Sequence, residues 1–196
     1  PPPDRAGYVS LGISVDVVKS AIESADVVLA EVNAAMPRTH GDSFVHVSEI
    51  DAFVESDAPL LELPVVEPDP VAREIARNVV SLIPDGAMFQ TGIGEIPHAL
   101  TPFLADKHDL GIHTEMLSDG VVDLIEAGVV TGLRKSIHRG KVVTSFCMGS
   151  RRLYDYVDDN PIFEFLGVDW VNDPFVISRH DDMVAINSAI QVDLTG

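Results

Sequence analysis

The sequence comprises 196 residues, and its 31 acidic side chains outnumber 13 basic ones, giving a formal net charge of −18. This charge argues against nucleic acids and anionic membrane surfaces as partners, because both are bound by clusters of Lys and Arg. The hydrophobic content of 46% is typical of a folded globule, and no apolar run approaches the roughly 20 residues of a membrane span.

The first third of the chain predicts a small α/β unit that ends in a linker. Its predicted elements are a helix over 14–25 with Ser14 as N-cap, a buried parallel strand over 27–32, a short strand over 44–47 and a helical turn over 47–53. Four prolines and no glycine between Asp57 and Pro70 predict an extended linker. We therefore place a domain boundary near residue 67, between segments 1–67 and 68–196.

The second segment alternates strands and helices. The predicted elements are helix 71–82, strand 87–90, helix 96–104, strand 110–114, helix 120–127 with Asp119 as a possible N-cap, strand 142–146, helix 150–157, a short strand 169–171 and strand 184–190. This order predicts an α/β fold with an open, mostly parallel sheet and helices on both faces. In such sheets, ligands bind in the crevice at the carboxyl ends of the strands.

A glycine turn follows the predicted strand 87–90. The spacing Gly92-x-Gly94 is typical of a backbone that approaches a phosphate closely, although an ordinary strand-to-helix turn has the same spacing. A nicotinamide-nucleotide fold is a rival interpretation, with Glu115 in the place of the ribose-binding acid. Pro97 argues against it, because it stands where that fingerprint has its third glycine.

Glu115 is the strongest candidate for a reactive side chain. A carboxylate at the end of a strand, flanked by His113 and Asp119, can be a base, a metal ligand or a nucleophile, whereas the plain alternative is a solvent-facing acid. No third ligand is spaced with His113 and Glu115, so we expect no metal site. His40, Asp42 and His46 share one loop region, and structural hydrogen bonds are expected of them.

The single cysteine, Cys147, ends an apolar run and is expected to be a buried, inert thiol. Together with an N-terminus that has no signal-peptide pattern, it predicts the cytoplasm.

Several ordered motifs, read together, carry a family resemblance over nearly the whole chain. They are Ala30-Glu31-Val32-Asn33-x-x-Met36-Pro37-Arg38-Thr39-x-Gly41, Gln90-x-Gly92-Ile93-Gly94-x-Ile96-Pro97, Leu110-Gly111-Ile112-His113-Thr114-Glu115-Met116, Ser118-Asp119-Gly120, Gly149-Ser150-x-x-Leu153-Tyr154, Asn160-Pro161 and Ala185–Gly196. In these motifs the chain resembles the acetyl-CoA hydrolase/transferase family, which includes 4-hydroxybutyrate and succinyl-CoA:acetate CoA-transferases.

The resemblance implies transfer of coenzyme A between an acyl-CoA and a small carboxylic acid, in acetate or butyrate metabolism, through a glutamyl-CoA thioester on Glu115. It assigns CoA binding to Gly92, Ile93, Gly94, Glu95 and Ile96, and further to Asn187 and Ile190. It places Gln90 and Asn172 near the substrate carboxylate. It implies no permanently bound cofactor, with CoA and acyl-CoA as substrates.

Two other functions stay open at this point. If water intercepts the intermediate, the net reaction is acyl-CoA hydrolysis, and a chain without a complete site would be a CoA- or nucleotide-binding module. Family members run to roughly twice this length, the scale of a two-domain enzyme. We therefore expect an internal fragment whose exposed core is covered by a second copy of the chain or by the remainder of its parent.

Overall fold

The computed structural model describes residues 1–64, 67–92 and 94–195, with the backbone alone at Glu95 and Pro97. The elements of the first part are β1 Tyr8–Ser10, α1 Val18–Ser24, β2 Leu29–Asn33, β3 Phe44–His46, a 3₁₀ turn Val47–Glu49 and β4 Ala52–Ser56. Strand β1 pairs with β3 antiparallel, and β2 pairs with β4 in parallel. No helix or strand lies in the described residues between 57 and 69, which agrees with the predicted linker.

The helical turn predicted over 47–53 ends at Glu49, because Ala52 and Phe53 belong to β4. Two further predictions for this part are wrong. The helix begins at Val18, not Ser14, because the preceding segment is held by the second part of the chain: Ser14 bridges Phe146, and the Val15 N–H donates to Ser145 O at 3.0 Å. Strand β2 is parallel as predicted but not buried, since Leu29 is 72% exposed. Among the described residues β2 pairs with β4 alone, so neighbouring strands leave much of it uncovered.

The second part contains the larger sheet. Its elements are α2 Pro70–Val80, β5 Met88–Thr91, α3 Glu95–Ala99, a 3₁₀ turn Thr101–Phe103, β6 Gly111–Ile112, β7 Met116–Leu117, α4 Gly120–Glu126, β8 Val142–Thr144, β9 Phe146–Cys147, α5 Arg151–Val157, β10 Phe163–Phe165, α6 Val168–Val171, α7 Pro174–Ile177 and β11 Met183–Ile186. The most regular helix, α2, starts where predicted: Pro70 is its first residue, and the Asp69 carboxylate accepts from the Ala72 N–H at 2.7 Å.

The strands of this part are parallel. Strand β5 lies between β11 and β6, β8 pairs with β10, and a parallel bridge from His113 to Val143 joins the two groups. The resulting order is β11-β5-β6-β8-β10, which confirms the predicted mostly parallel α/β architecture. The main core lies around this sheet and includes Val15 from the first part.

Three differences concern the end of the chain. Residues 169–171 belong to helix α6, not to a strand, because three residues carry too little periodicity to separate the two. Strand β10 and helix α7 were not predicted. Strand β11 ends at Ile186, short of the predicted end at residue 190.

Contacts also cross the predicted boundary near residue 67. Gly41 bridges Phe165 in parallel, and the Arg151 N–H donates to the Glu62 carboxylate at 2.8 Å. Division into 1–67 and 68–196 stays a prediction. Within the described ranges, no helix has the length and apolar character needed to cross a membrane.

Candidate active site

Glu115 lies at an interruption of the sheet, between β6 and β7. Its carbonyl oxygen accepts from the N–H groups of Ser145 and Phe146, at 2.9 and 3.1 Å, and from the Thr144 hydroxyl at 3.0 Å. Three donors therefore fix the backbone from the neighbouring strand. The side chain is half-buried, and its carboxylate has no hydrogen-bond or ion-pair partner among the side chains that the structure describes. A fixed backbone and an unengaged carboxylate suit a group that must meet a substrate.

Thr114 ties Glu115 to the glycine turn. The Thr114 hydroxyl accepts from the Thr91 N–H at 3.3 Å and lies 3.1 Å from each of two carbonyl oxygens, those of Thr91 and Met116. Thr91 is the last residue of β5 and precedes Gly92 directly. The strand ends that bear Glu115 and the turn are therefore adjacent, as predicted.

Gln90 and Asn187 form a reciprocal amide pair at the same edge. Gln90 Nε2 donates to Asn187 Oδ1 at 3.2 Å, and Asn187 Nδ2 donates to Gln90 Oε1 at 3.1 Å. A Cβ atom on Gly92 would overlap Asn187 Oδ1, and the Gly92 N–H donates to Ile186 O at 2.9 Å. In this structure the missing side chain of Gly92 thus makes room for a protein amide.

The rest of the predicted CoA-binding segment is described in part. Gly94 has a φ of +139°, a conformation that favours glycine. Ile96 is half-buried and packs against the core. Ile93, the Glu95 side chain and Gly196 lie outside the described residues, so their predicted roles have no geometry here.

Two further predicted residues make no described contact with this group. Asn172 caps the carboxyl end of α6 and is exposed, and no described contact joins it to Glu115 directly. Ile190 is fully exposed and follows the end of β11. The structure brings together Gln90, Gly92, Asn187 and the Glu115 backbone, and does not bring Asn172 or Ile190 into contact with them.

Asp119 does not act as the predicted side-chain cap of α4. It occupies the N-cap position without a capping bond. Its carboxylate instead accepts from the Ser150 N–H, at 3.0 and 3.2 Å to the two oxygens, and from the Ser150 hydroxyl. The Asp119 side chain therefore accepts hydrogen bonds at the start of α5. No described N–H group at the start of α4 bonds to it.

A buried polar cluster lies behind the Glu115 strand. His113 Nε2 is 2.8 Å from Val171 O, His180 Nε2 is 3.1 Å from His113 Nδ1, and Lys135 Nζ donates to Ile112 O at 2.6 Å. Burial lowers the pKa of His113, that of His180 to about 4 and that of Lys135 to about 7. No group of three or more metal ligands occurs among the described residues.

The predicted burial of Cys147 and the hydrogen bonds expected of His40, Asp42 and His46 are confirmed, while the inertness of the thiol stays a prediction. Cys147 is 1% exposed, and burial raises the pKa of its thiol well above the usual range. His40 is 3.0 Å from Asp159, Asp42 pairs with Lys19 at 2.7 Å, and His46 bonds the Ser48 hydroxyl at 2.7 Å. All three form structural hydrogen bonds.

Two threonine hydroxyls to which the sequence analysis gave no role hold the backbone around Glu115. They belong to Thr114, which bonds the Thr91 backbone, and to Thr144, which donates to Glu115 O. The signal that could have found Thr114 was its place beside Glu115 within a motif. Nothing local distinguishes Thr144, because its partner is 29 positions away.

Two family profiles match this chain. Residues 1–67 match the acetyl-CoA hydrolase/transferase N-terminal domain, and residues 149–196 match the C-terminal domain of the same family. Among curated relatives, the 4-hydroxybutyrate coenzyme A transferase of Clostridium kluyveri is 54% identical over 99% of this chain and 45% of its own length. The succinyl-CoA:cyclohexane-1-carboxylate CoA transferase of Geobacter metallireducens is 43% identical over 100% of this chain and 45% of its own length.

Two solved structures also match almost the whole of this chain and about half of their own. RipA from Yersinia pestis superimposes with a TM-score of 0.95 at 44% identity, over 100% of this chain and 46% of RipA. A 4-hydroxybutyrate CoA-transferase from Porphyromonas gingivalis gives 0.94 at 44% identity, over 98% of this chain and 49% of that one. The chain spans about half the length of the relatives it matches. Both profiles, the relatives and the parallel α/β fold agree, and the chain belongs to the acetyl-CoA hydrolase/transferase family.

Proposed function

We propose that this chain contributes the nucleophile of an acyl-CoA:carboxylate CoA-transferase, and that the nucleophile is Glu115. The observation that carries the proposal is the position of Glu115: its backbone is fixed beside the glycine turn through Thr114 and Thr91. Relatives named as CoA transferases support the reaction class. Because the chain spans about half of those relatives, the activity of the whole protein belongs to the same proposal.

The proposed reaction is covalent catalysis in two halves. The Glu115 carboxylate attacks the thioester carbonyl, the C–S bond breaks, and an acyl-glutamyl anhydride and CoA thiolate result. The thiolate then attacks the glutamyl carbonyl, which forms glutamyl-CoA and releases the first carboxylate. An incoming carboxylate repeats these steps in reverse and leaves as the new acyl-CoA, so Glu115 is regenerated.

The surroundings of Glu115 support such a nucleophile. Its carboxylate is unengaged among the described side chains, so no ion pair has to break before attack. The three hydrogen bonds to its carbonyl oxygen limit backbone movement, which favours the close approach that a reaction between bound groups needs.

The binding residues complete the proposal. Gly92, Ile93, Gly94, Glu95 and Ile96 would line the CoA site with Asn187 and Ile190, while Gln90 and Asn172 would meet the substrate carboxylate. The Gln90–Asn187 pair supports a shared edge for both substrates, because Gln90 is two residues before Gly92 and Asn187 directly follows Ile186, whose carbonyl oxygen accepts from the Gly92 N–H. The space at Gly92 is taken by an amide, which gives the nicotinamide alternative no support.

The proposal also covers the partners of the chain and its compartment. The substrates would be an acyl-CoA and a small carboxylic acid, with no bound metal or permanent cofactor. Exposed apolar side chains on β2 and β4, such as Leu29 and Val54 at 72% and 67% exposure, support cover by a second polypeptide surface. The single cysteine supports a reducing compartment such as the cytoplasm.

Trapping tests the proposal. The chain is incubated with acetyl-CoA and then with borohydride, which reduces a glutamyl thioester to an alcohol, and peptides are analysed by mass spectrometry. We expect the peptide that contains Glu115 to lose one oxygen and gain two hydrogens. Glu115→Gln should give no such product, whereas Glu31→Gln, at an exposed acid on β2, should react as the unaltered chain does.

The other functions are separate outcomes of that experiment. Modification of Glu115 with release of acetate and free CoA, and with no butyryl-CoA even when butyrate is supplied, would identify a hydrolase. Binding of acetyl-CoA without modification would identify a binding module and would overturn the proposed mechanism.

A further inference from the structure

His113 and His180 have fixed proton positions. Val171 O can only accept, so His113 Nε2, 2.8 Å away, carries a proton and donates it. In the neutral ring His113 Nδ1 is then an acceptor, and His180 Nε2 must donate to it across 3.1 Å. The hydrogen bonds therefore run in one direction, from His180 through His113 to Val171.

Both rings are neutral near pH 7. His113 is 1% and His180 6% exposed, and burial lowers the pKa of each, with neighbouring positive charge as a smaller cause. The ionisable groups around them are Lys135, His138 and Arg179, while Glu164 contacts His138. A protonated His113 would donate from Nδ1 as well, and His180 would then need its proton on Nδ1, a buried atom with no hydrogen-bond partner among the described residues.

This pair connects three segments that contain proposed site residues. His113 is two residues before Glu115, Val171 directly precedes Asn172, and His180 precedes β11, whose end adjoins Asn187. Helix α6 has four residues, too few to be stable without tertiary contacts. Its other described contacts include Trp170, whose ring lies 5.6 Å from His113 and 4.8 Å from His138, and the Val168 N–H, which donates to Asp16 O at 3.0 Å.

We propose that His113, oriented by His180, is a positioning residue: its bond to Val171 O holds Asn172 beside the Glu115 strand, where the amide binds the carboxylate of the acceptor acid. The inference rests on the proposed function for its link to catalysis. Its structural half, the two tautomers and their effect on Asn172, is independent of turnover.

The test compares His113→Leu, which removes the donor, with His113→Gln, whose amide nitrogen can replace Nε2. With acetyl-CoA and butyrate as substrates, we expect His113→Leu to raise KM for butyrate about ten- to hundredfold, the size expected when a buried carbonyl loses its donor. KM for acetyl-CoA should change less than ~2-fold, and His113→Gln should recover most of the butyrate affinity. His40→Leu, which removes an exposed histidine contact outside this cluster, is the matched control.

Magnetic resonance supplies a readout that needs no turnover. Long-range ¹H–¹⁵N spectra of the unaltered chain should give Nε2–H tautomers for both His113 and His180, and added butyrate should shift the Asn172 side-chain amide. The butyrate shift should be absent in His113→Leu and present in His113→Gln. An Nδ1–H tautomer at His113 of the unaltered chain would overturn the inference even if His113→Leu fails to fold, and equal changes in both KM values of a folded His113→Leu would overturn it too.

The two proposals fail separately. If His113→Leu transfers CoA with an unaltered KM for butyrate, the positioning role is refuted and the proposed transferase activity stands. No trapped intermediate, together with a butyrate shift at Asn172 that depends on His113, removes the transferase and leaves the positioning role.

Discussion

Gln90 and Asn187 close a ring of two amide hydrogen bonds between neighbouring parallel strand ends, at 3.2 and 3.1 Å. The register pairs Gln90 with Ala185, so Asn187 lies two positions beyond that partner and reaches back over Gly92. The pair fits only because Gly92 has no side chain. The arrangement of the Gln90 and Asn187 side chains at the carboxyl ends of β5 and β11 therefore depends on the absence of a side chain at Gly92.

The first prediction tests that relationship. Gly92→Ala should lower the free energy of unfolding by about 1–2 kcal/mol, because the new methyl group displaces the Asn187 amide and breaks the pair. In an Asn187→Ala background the same change should cost close to nothing. Urea denaturation of the unaltered chain, the two single variants and the double variant completes a double-mutant cycle. Equal losses of unfolding free energy in both backgrounds would show that overlap with Asn187 is not the reason for glycine at position 92.

The second prediction concerns the start of α5. Asp119→Ala should lower the free energy of unfolding by about 1–2 kcal/mol, because the Ser150 N–H and hydroxyl lose their acceptor. The control is Asp155→Ala, which removes an exposed pair with Arg151 on the same helix and should cost less than ~0.5 kcal/mol. Urea denaturation compares them, and similar costs would contradict the capping role.

Local signals account for the elements that the sequence predicted well. Helix α2 follows from Asp69 and Pro70 at its start and from an apolar stripe, all within one short stretch. The predicted start of α1 at Ser14 is wrong because Val15 is buried and its N–H donates to Ser145 O. No local pattern reveals that contact. Tertiary contacts overrode the helical spacing there.

The same division holds at the candidate site. Glu115 could be singled out because a motif and a strand end coincide on it. The Gln90–Asn187 pair joins residues 97 positions apart, and the His113–His180 pair joins residues 67 apart. Hydrophobic periodicity describes faces of single elements, so partners brought together by strand order lie beyond it.

The third prediction is that Cys147 is protected from thiol reagents in the native chain. The side chain is 1% exposed, so a reagent cannot reach the sulfur. Burial also raises the pKa of the thiol, so the reactive thiolate is scarce. Reaction with a chromogenic disulfide at pH 8 should be slower by ~10³ or more than in urea, since it requires unfolding. A Cys147→Ala chain with Ser24→Cys, on an exposed helix position, should react at once. Rapid native labelling of Cys147 would contradict its burial.

The fourth prediction concerns stability against pH at Lys135, which is 4% exposed and has its pKa lowered to about 7 by burial. Unfolding returns the amine to a pKa of about 10.4, so above pH 7 the unfolded chain binds more protons than the native one. Stability should therefore rise with pH from about 7, by at most about 1.4 kcal/mol per pH unit from this group.

Lys135→Met should remove that slope, so its free energy of unfolding should gain about 1–2 kcal/mol less than that of the unaltered chain between pH 7 and 8.5. The upper limit avoids the Cys147 thiol, which ionises in the unfolded chain from about pH 8.5 and opposes the rise. Lys107→Met is the matched control, because Lys107 also donates to a backbone carbonyl at 2.6 Å, that of Ile83, from a less buried position. Urea denaturation at both pH values measures the slopes, and the same slope in the two variants would mean that Lys135 is charged in the native chain throughout this range.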